Sequence, residues 1–497
     1  MGRHARAFAG AILLFGGCAQ IAGIDDTTGI VTPPGTASLT LIRTSVGTSI
    51  INSALDLTGQ SATFLVLDPD AQDGLQRIPA MQTADGVWTA NVEAENPAVL
   101  FSTPSYPEQT LSILELPFKD TKQMFREYEH PGRTVAVTPE ASMLTVNATL
   151  PSPFVATETF QLATIGAWGK RGLAAPMTLG DTALAPAAFT YDTVSSGNGR
   201  PLDKITTADS VLVLRYNSST LTGVLDGVPF DQTGADTITG TMTAVSTTDQ
   251  LSVTVNNETV GQRYAPLRPA MPLPNMNWSV VAAPGARIAA TAGVNLVGTT
   301  ITSAAGMGQI GANYLNPFIA KGWGSIFIWS TNSFRAFTPD GAPGPASLLA
   351  ALYQLAAPRD NLTLDMPVGM PESISLDGTP LSSDGITIAK PTSVVTCSFQ
   401  VPPTPMNTLY RLELYELVPN TATPPTGLDH KIVVDITSDK PTMFIPPEMF
   451  ADGKTYTIRA IVTAGDYPGV NSGDLSTREL DQAGAIMESG VFTVGTP

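Results

Sequence analysis

The stretch LYRLELYELV, residues 409–418, decides the fold class of the last quarter of the chain. Its leucines alternate with polar and amphipathic residues, and successive side chains of a β-strand point to opposite faces of the sheet. Leu412 and Leu414 are therefore predicted to face a hydrophobic core. The residues predicted to point outward from the same strand are Arg411, Glu413 and Tyr415.

Similar strand-like segments surround this one between residue 371 and the C-terminus. They are ISLDGTPL, SVVTCSFQV, KIVVDIT, TMFIPP, KTYTIRAIVTA and GVFTV. Turn-forming residues separate them, as is usual where short loops join the strands of a sheet. Roughly seven strands in about 125 residues predict a β-sandwich domain over 371–497.

This region resembles a fibronectin type III domain, because KTYTIRAIV is similar to the F strand of that fold and Phe450 precedes Tyr456 by six residues. The resemblance implies that Tyr456 forms a tyrosine corner, with its hydroxyl bonded to upstream backbone. It also implies a binding or spacer role, since the fold carries many functions. Family members usually have Trp on an early strand, where this chain offers Cys397 and Phe399.

Cys397 is predicted to be a core residue. In SVVTCSFQV it shares one strand face with Val395 and Phe399. A free cysteine in such a position usually behaves as a small buried hydrophobe, not as a reactive thiol.

The sequence as a whole predicts an all-β fold class, with tandem β-sandwich domains of the immunoglobulin or fibronectin type III kind and little helix. Residues 37–133 and 134–268 are each predicted to form a β-sandwich domain. A proline-rich linker over 269–276 and a β-rich domain over 277–370 are predicted to follow.

One short helix is predicted in that third domain, at ASLLAALYQLAA. The segment is rich in Ala and Leu, which favour helices. It is also bounded by Pro345 before and Pro358 after, as helices often are.

The chain begins with MGRHARAFAGAILLFGGCAQ, which has the parts of a secretory signal. Its apolar run is about half of the roughly 20 residues that span a bilayer, so residues 1–17 are predicted to be a signal peptide. LFGGC is similar to the lipobox of bacterial lipoproteins, although that family prefers Leu at the position of Phe15. The resemblance implies cleavage before Cys18 and a lipid on its thiol; a plain secretory leader is the alternative.

Lipid on Cys18 would anchor the protein to the membrane of the cell envelope. Each buried acyl CH₂, as in palmitate, contributes roughly 0.8 kcal/mol, and a lipoprotein cysteine carries several chains. Residues 18–36 contain Asp, Thr, Gly and Pro-Pro and are predicted to form a flexible tether after the anchor. In the family, Asp after the cysteine favours the inner membrane, so Ala19 implies the outer membrane.

The composition argues against nucleic acid as a partner. The 497-residue chain has 26 Lys plus Arg against 43 Asp plus Glu, for a net charge of −17 at pH 7. Nucleic-acid binding relies on clustered basic residues that neutralise phosphates. Acidity suits a protein that stays soluble outside the cell.

Histidine is scarce, which argues against zinc and triad chemistry. Outside the leader the histidines are His130 and His430, and neither lies in an HExxH pattern. No GxSxG elbow accompanies them, as it would in many Ser-His-Asp hydrolases. The sequence therefore predicts no catalytic residue, no metal site and no cofactor.

A GxGxxG motif is formed by Gly306, Gly308 and Gly311. A dinucleotide site would also need a βαβ context and an acidic residue about 20 positions later, and both are missing. A glycine-rich loop is predicted here instead.

Three acids in DPDAQDG, namely Asp68, Asp70 and Asp73, partly match a calcium-binding loop. The bidentate Glu of such a loop is replaced by Pro79. An Asp-rich turn after the strand ATFLVL is therefore predicted.

Three further clusters leave alternatives open. The long loop AGDYPGVNSGDLSTRELDQAG either binds a partner or is simply tolerated, and its acids are Asp466, Asp474, Glu479 and Asp481. The charged segment KDTKQMFREYEHPGR is either a solvated face or holds an acid pair, Glu127 and Glu129. One strand face is either core or a sugar-stacking platform, and it carries Trp323, Phe327 and Trp329. Ile326 and Ile328 on the opposite face favour core.

The leading hypothesis is a membrane-anchored lipoprotein that binds a protein or glycan, mediates adhesion or acts as an envelope scaffold, without catalysis. A secreted hydrolase acting on carbohydrate is the first alternative. An accessory subunit of a cell-envelope complex is the second.

Overall fold

The computed structural model shows an all-β protein, so the predicted all-β sandwich fold class is confirmed. The 3-10 turns with described bounds are Ile319–Lys321, Pro447–Met449 and Val470–Ser472. The residues that the structure describes are 35–46, 50–55, 58–94, 97–103, 110–115, 120–126, 142–164, 169–173, 177–191, 211–227, 236–256, 260, 262, 275–284, 293–301, 307–364, 368–404, 407–465, 468–475 and 480–495.

The strands of the first half of the chain are short and mostly antiparallel to their neighbours. In the first predicted domain they are β1 (Thr36–Val46), β2 (Ile50–Ala54), β3 (Ala62–Leu67), β4 (Leu75–Pro79), β5 (Met81–Ala84), β6 (Val87–Asn91), β7 (Ala98–Thr103), β8 (Thr110–Glu115) and β9 (Asp120–Arg126). In the second they are β10 (Ser142–Thr149), β11 (Glu158–Thr164), β12 (Gly169–Leu173), β13 (Ala183–Tyr191), β14 (Val211–Asn217), β15 (Thr220–Leu225), β16 (Asp236–Thr241), β17 (Thr243–Ala244) and β18 (Asp249–Asn256).

The second half contains the longest strands. In the third predicted domain they are β19 (Asn275–Pro284), β20 (Val294–Ile301), β21 (Met307–Tyr314), β22 (Trp323–Phe337), β23 (Ala346–Ala356) and β24 (Leu362–Leu364). In the last they are β25 (Glu372–Leu376), β26 (Thr379–Pro380), β27 (Ile386–Ile388), β28 (Val395–Gln400), β29 (Thr408–Pro419), β30 (Leu428–Ser438), β31 (Thr442–Ile445), β32 (Thr455–Ala464), β33 (Asp474–Leu475), β34 (Gln482–Glu488) and β35 (Phe492–Val494).

Two sandwiches are built from the first half of the chain. In the first, β1 pairs with β6 and β9, β3 pairs with β4 and β7, and the core between the sheets contains Leu39, Phe64, Trp88 and Phe101. In the second, β10 pairs with β13 and β16, β11 pairs with β12 and β14, and the core contains Leu144, Val146, Phe160 and Leu162. In both, alternate side chains of each strand meet those of the facing sheet.

The third sandwich draws on strands from both sides of the predicted linker 269–276. β18 precedes the linker, and it pairs antiparallel with β21 and parallel with β24, which follow it. The facing strands β19, β20, β22 and β23 are joined in antiparallel pairs. Buried side chains of both sheets, Val253, Ile310, Phe327 and Leu352 among them, belong to one core.

The fourth sandwich lies in the C-terminal region. One sheet has the order β26-β25-β28-β31, and the other contains β30-β29-β32-β34. Leu412, Leu414 and Cys397 are fully buried between them, so the predicted inward face of LYRLELYELV is confirmed. The predicted inward face of SVVTCSFQV is confirmed as well, because Val395 and Phe399 are also buried.

One hydrogen-bonded sheet continues through three of these sandwiches. It runs from β22 to β23, β34, β32, β29, β30, β8, β7 and β3. The junctions are the parallel pairing of β8 with β30, where Ile113 lies opposite Ile436, and the antiparallel pairing of β23 with β34. Both outer strands of the C-terminal sheet therefore have partners from other regions, which removes open edges that would invite aggregation.

The predicted helix at ASLLAALYQLAA is wrong, because these residues form strand β23. Its buried positions alternate strictly, with Ala346, Leu348, Ala350 and Leu352 on the same face. β22 pairs with one edge of β23 and β34 with the other. The helix propensity of Ala and Leu is a fraction of a kcal/mol per residue, and ladder hydrogen bonds on both edges outweigh it.

Candidate functional site

A groove lies between the second and third sandwiches, and we call it the polar groove. One wall is the outer face of β19, β20 and β22. Asn277 lies opposite Ser330 and Ser279 opposite Ile328, so small polar side chains collect on this face. The other face of the same strands carries the buried aromatic residues that fill the third core.

The second wall of the polar groove comes from β11, β14 and the turn after β14. Gln161 and Tyr216 project from the two paired strands, and Ser218 and Ser219 form the turn to β15. Ser218 has a φ of 56°, which lies in the left-handed region and makes this turn tight. The two sandwiches also meet directly here, since Thr220 of β15 pairs with Val297 of β20.

The polar groove has a volume of about 640 Å³, and none of the described residues that line it is charged. Its lining is dominated by hydroxyl and amide side chains, with Tyr216, Trp278 and Ile328 as the apolar component. Tyr216 and Trp278 are 8% and 7% exposed. The Tyr216 hydroxyl and the Trp278 indole N–H have no hydrogen-bond partner among the described residues, and burial raises the pKa of Tyr216 well above its usual range.

A second groove of about 570 Å³ lies along β18 and β21. Gln250, Ser252, Asn313 and Asn361 line it, and among the described lining residues the carboxylate is Asp360. The described part of this groove does not supply the acid and base pair of a glycosidase.

A buried ionic network occupies the outer face of the C-terminal sheet. Arg459 of β32 donates to Glu488 of β34 at 2.5 and 2.8 Å, and to Glu413 of β29 at 3.2 Å. The Tyr415 hydroxyl donates to Glu413 at 2.5 Å and accepts from Arg459 at 2.8 Å. Nε2 of His430 lies 3.4 Å from Glu488.

Glu413 and Tyr415 lie on the outward face of β29 that was predicted for them. Both side chains are nevertheless buried, whereas the Arg411 side chain is 42% exposed. The charges are buried because β29 is a central strand whose outer face is covered as well. Leu409 of that face packs into the first core, and Leu417 packs on Leu348 of β23.

Glu488 is the centre of this network and is fully buried. Burial alone would raise its pKa, but the neighbouring His430 and the charge of Arg459 outweigh burial, so the pKa of Glu488 lies below its ordinary value. The main-chain N–H of Leu349 on β23 donates to the same carboxylate at 2.9 Å. The network therefore joins five strands, β23, β29, β30, β32 and β34, and its charged groups pair with one another.

The predicted tyrosine corner is confirmed. Tyr456 is the second residue of β32, after the corner that follows β31, and its hydroxyl accepts a hydrogen bond from the main-chain N–H of Ala451 at 2.7 Å. Phe450 contacts its ring edge-on at a centroid distance of 5.8 Å.

The predicted Asp-rich turn after β3 is confirmed. Asp68 accepts a hydrogen bond from the N–H of Asp70 at 2.9 Å, and its own N–H donates to the carbonyl of Gly74. Asp73 forms an ion pair with Arg77 at 2.8 Å, which lowers the pKa of Asp73. Within the described ranges, no group of three His, Cys, Asp or Glu side chains is placed to hold a metal ion.

Gly308 and Gly311 lie within strand β21, so the prediction of a glycine-rich loop is wrong at these positions; Gly306 lies outside the described residues. β21 pairs antiparallel with β18, and Gly311 lies opposite Ser252 in this pairing. No helix begins there to receive a phosphate, as a dinucleotide site requires.

The acids of the long loop before β34 are separated. Asp481 forms an ion pair with Arg359 at 2.9 Å, and Asp474 lies on β33, which pairs parallel with β9. Asp466 and Glu479 lie outside the described residues. Part of the loop thus extends the sheet of the first sandwich.

The remaining candidates are placed as follows. Trp323, Phe327 and Trp329 are buried, which confirms the core assignment over a sugar platform; Ile326 is buried too, but Ile328 borders the polar groove. In the charged segment KDTKQMFREYEHPGR, the structure describes the backbone of β9, which pairs parallel with β1.

The candidates outside the described residues are Cys18, Glu127, Glu129 and His130. No helix within the described ranges has the length and hydrophobicity to cross a bilayer.

Sequence reasoning missed the polar groove. The alternation of Asn and Ser with aromatic residues is visible in NMNWSVV and IFIWSTN. However, the second wall comes from strands more than 50 residues earlier, and nothing in the local pattern identifies that partner.

No protein-family model matches the chain, and no curated protein matches it in sequence. Trypsin-activated alpha-2-macroglobulin from Escherichia coli is similar at 9% identity and a TM-score of 0.14, over 90% of this chain and 29% of that chain. A streptococcal ancillary pilin is similar at 9% identity and a TM-score of 0.13, over 66% of this chain and 98% of that chain. This chain therefore spans less than a third of the macroglobulin, and TM-scores this low carry no argument about function.

Proposed function

We propose that the protein is an exported lipoprotein, held on the outer membrane by lipid on Cys18, that binds or displays other molecules without transforming them. The observation that carries the proposal is the sheet that continues from β3 to β22. Each strand of this sheet is hydrogen-bonded to the next across three sandwiches. The sandwiches are therefore connected by strand pairing and not only by flexible linkers. A stiff body behind a tether suits a scaffold or a displayed binding surface.

Ionic contacts support the same proposal. Arg335 of β22 forms a bidentate pair with Asp384, and its guanidinium also donates to the carbonyl of Ser489 at 3.2 Å. Nη2 of Arg77 in the first sandwich donates to both carboxylate oxygens of Glu448, at 2.8 and 2.9 Å. The bidentate Arg335 pair has a defined geometry, and the two pairs connect the C-terminal sandwich to two neighbours.

The C-terminal sandwich is proposed to be of the fibronectin type III kind. The tyrosine corner at Tyr456 and the sheet orders β26-β25-β28-β31 and β30-β29-β32-β34 support this assignment. Domains of this kind serve as spacers and binding modules, which agrees with a role outside catalysis.

A hydrolase acting on carbohydrate is the competing function. Such an enzyme needs two carboxyl groups, roughly 5 to 10 Å apart, on either side of a cleft. No described residue in the lining of the polar groove is a carboxylate, and the buried carboxylates of Glu413 and Glu488 are paired with Arg459. These observations favour binding.

Metabolic labelling with palmitate tests the anchor. The wild-type protein should be labelled and should fractionate with the outer membrane, whereas Cys18→Ser should be unlabelled and released. Equal labelling of the two proteins would refute the lipobox assignment. A turnover assay of the purified protein on glycans and peptides tests the second half of the proposal, since turnover that is lost on changing one carboxylate would establish the hydrolase instead.

A further inference from the structure

We propose that the polar groove binds a neutral oligosaccharide. The inference deepens the binding role proposed above by naming a site and a class of ligand. It rests on the binding half of that proposal and does not depend on the lipid at Cys18.

The charge of the described lining disfavours several ligand classes. None of the described lining residues is Lys, Arg, Asp or Glu, in a chain whose net charge is −17. Among these residues a phosphate, a sulfated glycan or an acidic peptide would find no counter-charge, and a cation would find no carboxylate. The described lining therefore suits an uncharged ligand.

The side chains of the groove match the chemistry of sugar hydroxyls. Gln161, Ser279, Asn295 and Ser330 are half-buried, and each carries groups that both donate and accept hydrogen bonds. Among the described residues, no hydrogen bond occupies the side chains of Gln161, Ser279 or Ser330. A sugar hydroxyl also donates and accepts, so it can pair with such groups in either sense.

One aromatic residue adds apolar surface and an unsatisfied polar atom. Tyr216 borders the groove, and its buried hydroxyl has no partner among the described residues; Trp278 instead points from β19 into the third core, where it stacks on Phe327. Leaving a buried polar group unpaired costs about 1–3 kcal/mol, and most such groups in native proteins find a partner. The Tyr216 hydroxyl beside the groove therefore points to an occupant with hydrogen-bonding groups.

The size of the groove allows a short oligosaccharide. Its volume of about 640 Å³ falls within the roughly 300–1,000 Å³ typical of small-molecule sites. Gly298 keeps β20 close to β19, because a Cβ there would lie 2.5 Å from the carbonyl oxygen of Trp278. No larger side chain can therefore replace this glycine in the wall of the groove.

Saturation-transfer NMR and titration calorimetry on the full chain test the inference. The probes are maltotriose, cellotriose, mannotriose and chitotriose, with trigalacturonate and triglycine as the charged and peptide comparisons. Ser330→Tyr would fill the groove from β22, and Gln161→Ala would remove a polar group from the opposite wall. Asn332→Tyr is the matched control, because Asn332 lies two residues along the same strand face and is exposed outside the groove.

At least one neutral trisaccharide should bind the wild-type protein and Asn332→Tyr equally. Its affinity should fall at least about tenfold in Ser330→Tyr and about threefold to tenfold in Gln161→Ala, as expected for one lost hydrogen bond. Three outcomes would overturn the inference: no binding of any neutral probe, binding unchanged in Gln161→Ala, or binding of only trigalacturonate or triglycine. The last outcome would leave the proposed binding role standing, and palmitate labelling would be unaffected by any of them.

Discussion

The hydroxyl oxygen of Tyr456 accepts a hydrogen bond from the main-chain N–H of Ala451 at 2.7 Å. Tyr456 is 1% exposed, and its ring lies between Phe450 and Phe492 at centroid distances of 5.8 Å. The Tyr456 hydroxyl, attached to a ring inside an aromatic cluster, thus bonds to the backbone of the connection between β31 and β32.

Tyr456→Phe should lower the free energy of unfolding of the C-terminal sandwich by roughly 1 kcal/mol, the usual net contribution of one hydrogen bond. The ring contacts remain, so the loss reports the hydroxyl alone. Denaturant unfolding measures it. Tyr410→Phe is the matched control, because Tyr410 packs on Phe399 and its hydroxyl makes no such bond to backbone among the described residues, so its change should be smaller. Equal changes in the two variants would contradict the corner.

Arg459→Met should destabilise the protein by about 3–5 kcal/mol, because it leaves the fully buried Glu488 without its main counter-charge. Arg359→Met removes the partner of Asp481 from a pair that is 53% and 33% exposed, and should cost at most about 1 kcal/mol. Thermal or denaturant unfolding compares the two. A mild effect of Arg459→Met would show that the network is not stabilised by this arginine.

The same network should respond to acid. The pKa of Glu488 lies below its ordinary value, so the stability that its ionised form contributes is present above the pKa of the unfolded chain. That stability is lost as the pH falls through the lower pKa of the folded state. Unfolding measured between pH 7 and pH 3 should therefore show a steeper acid loss in wild type than in Glu488→Gln.

Glu115 should give the opposite pH dependence. Glu115 is the last residue of β8, at the junction with β30. Burial raises its pKa to about 8, and the negative charge of Asp439 acts in the same direction. A hydrogen bond from the N–H of Phe444 and the charge of Lys440 act to lower this pKa but do not outweigh burial. Between about pH 4.5 and 8 the folded protein keeps a proton that the unfolded chain has lost, so stability falls as pH rises, by about 1.4 kcal/mol per unit of pKa difference.

The difference in unfolding free energy between wild type and Glu115→Gln isolates this effect. It should move in favour of the variant as the pH rises from 5 to 8 and become constant above pH 8. A difference that does not change with pH would mean that Glu115 is ionised in the folded protein.

Cys397 should be unreactive in the folded protein. It is fully buried, and burial raises the pKa of its thiol far above the usual range, which suppresses the reactive thiolate. In Cys18→Ser, which carries Cys397 as its sole cysteine, a maleimide should label the thiol after unfolding in denaturant and not before. Rapid labelling of the folded protein would contradict the placement of β28 in the core.

Much of the secondary structure could be predicted because the side-chain period of a strand is written in adjacent residues. LYRLELYELV identifies β29 and its inward leucines, and SVVTCSFQV identifies β28 in the same way. The tyrosine corner was implied by the resemblance of KTYTIRAIV to a fibronectin type III strand, and the bond from Ala451 spans five residues.

Other features depended on partners that are distant in the chain. β23 has a helix-forming composition and becomes a strand because β22 and β34 pair with its two edges. Glu413 and Tyr415 were assigned to the correct face of β29, but that face is buried by elements outside the local sequence. β34, QAGAIME, offers too little alternation of apolar and polar residues to be found without its neighbours.

The sequence by itself determined an acidic, histidine-poor, all-β chain with strands of known inward face, because composition and a period of two are local properties. Tertiary structure alone decided which strands share a sheet, which charges are buried and where two walls enclose the polar groove. Glu115 and Phe444, whose contact joins β8 to the C-terminal sandwich, are 329 residues apart, and no local pattern encodes a pairing over that distance. Burial and strand pairing are decided by the global packing of apolar surface, in which local preferences are a small energetic contribution.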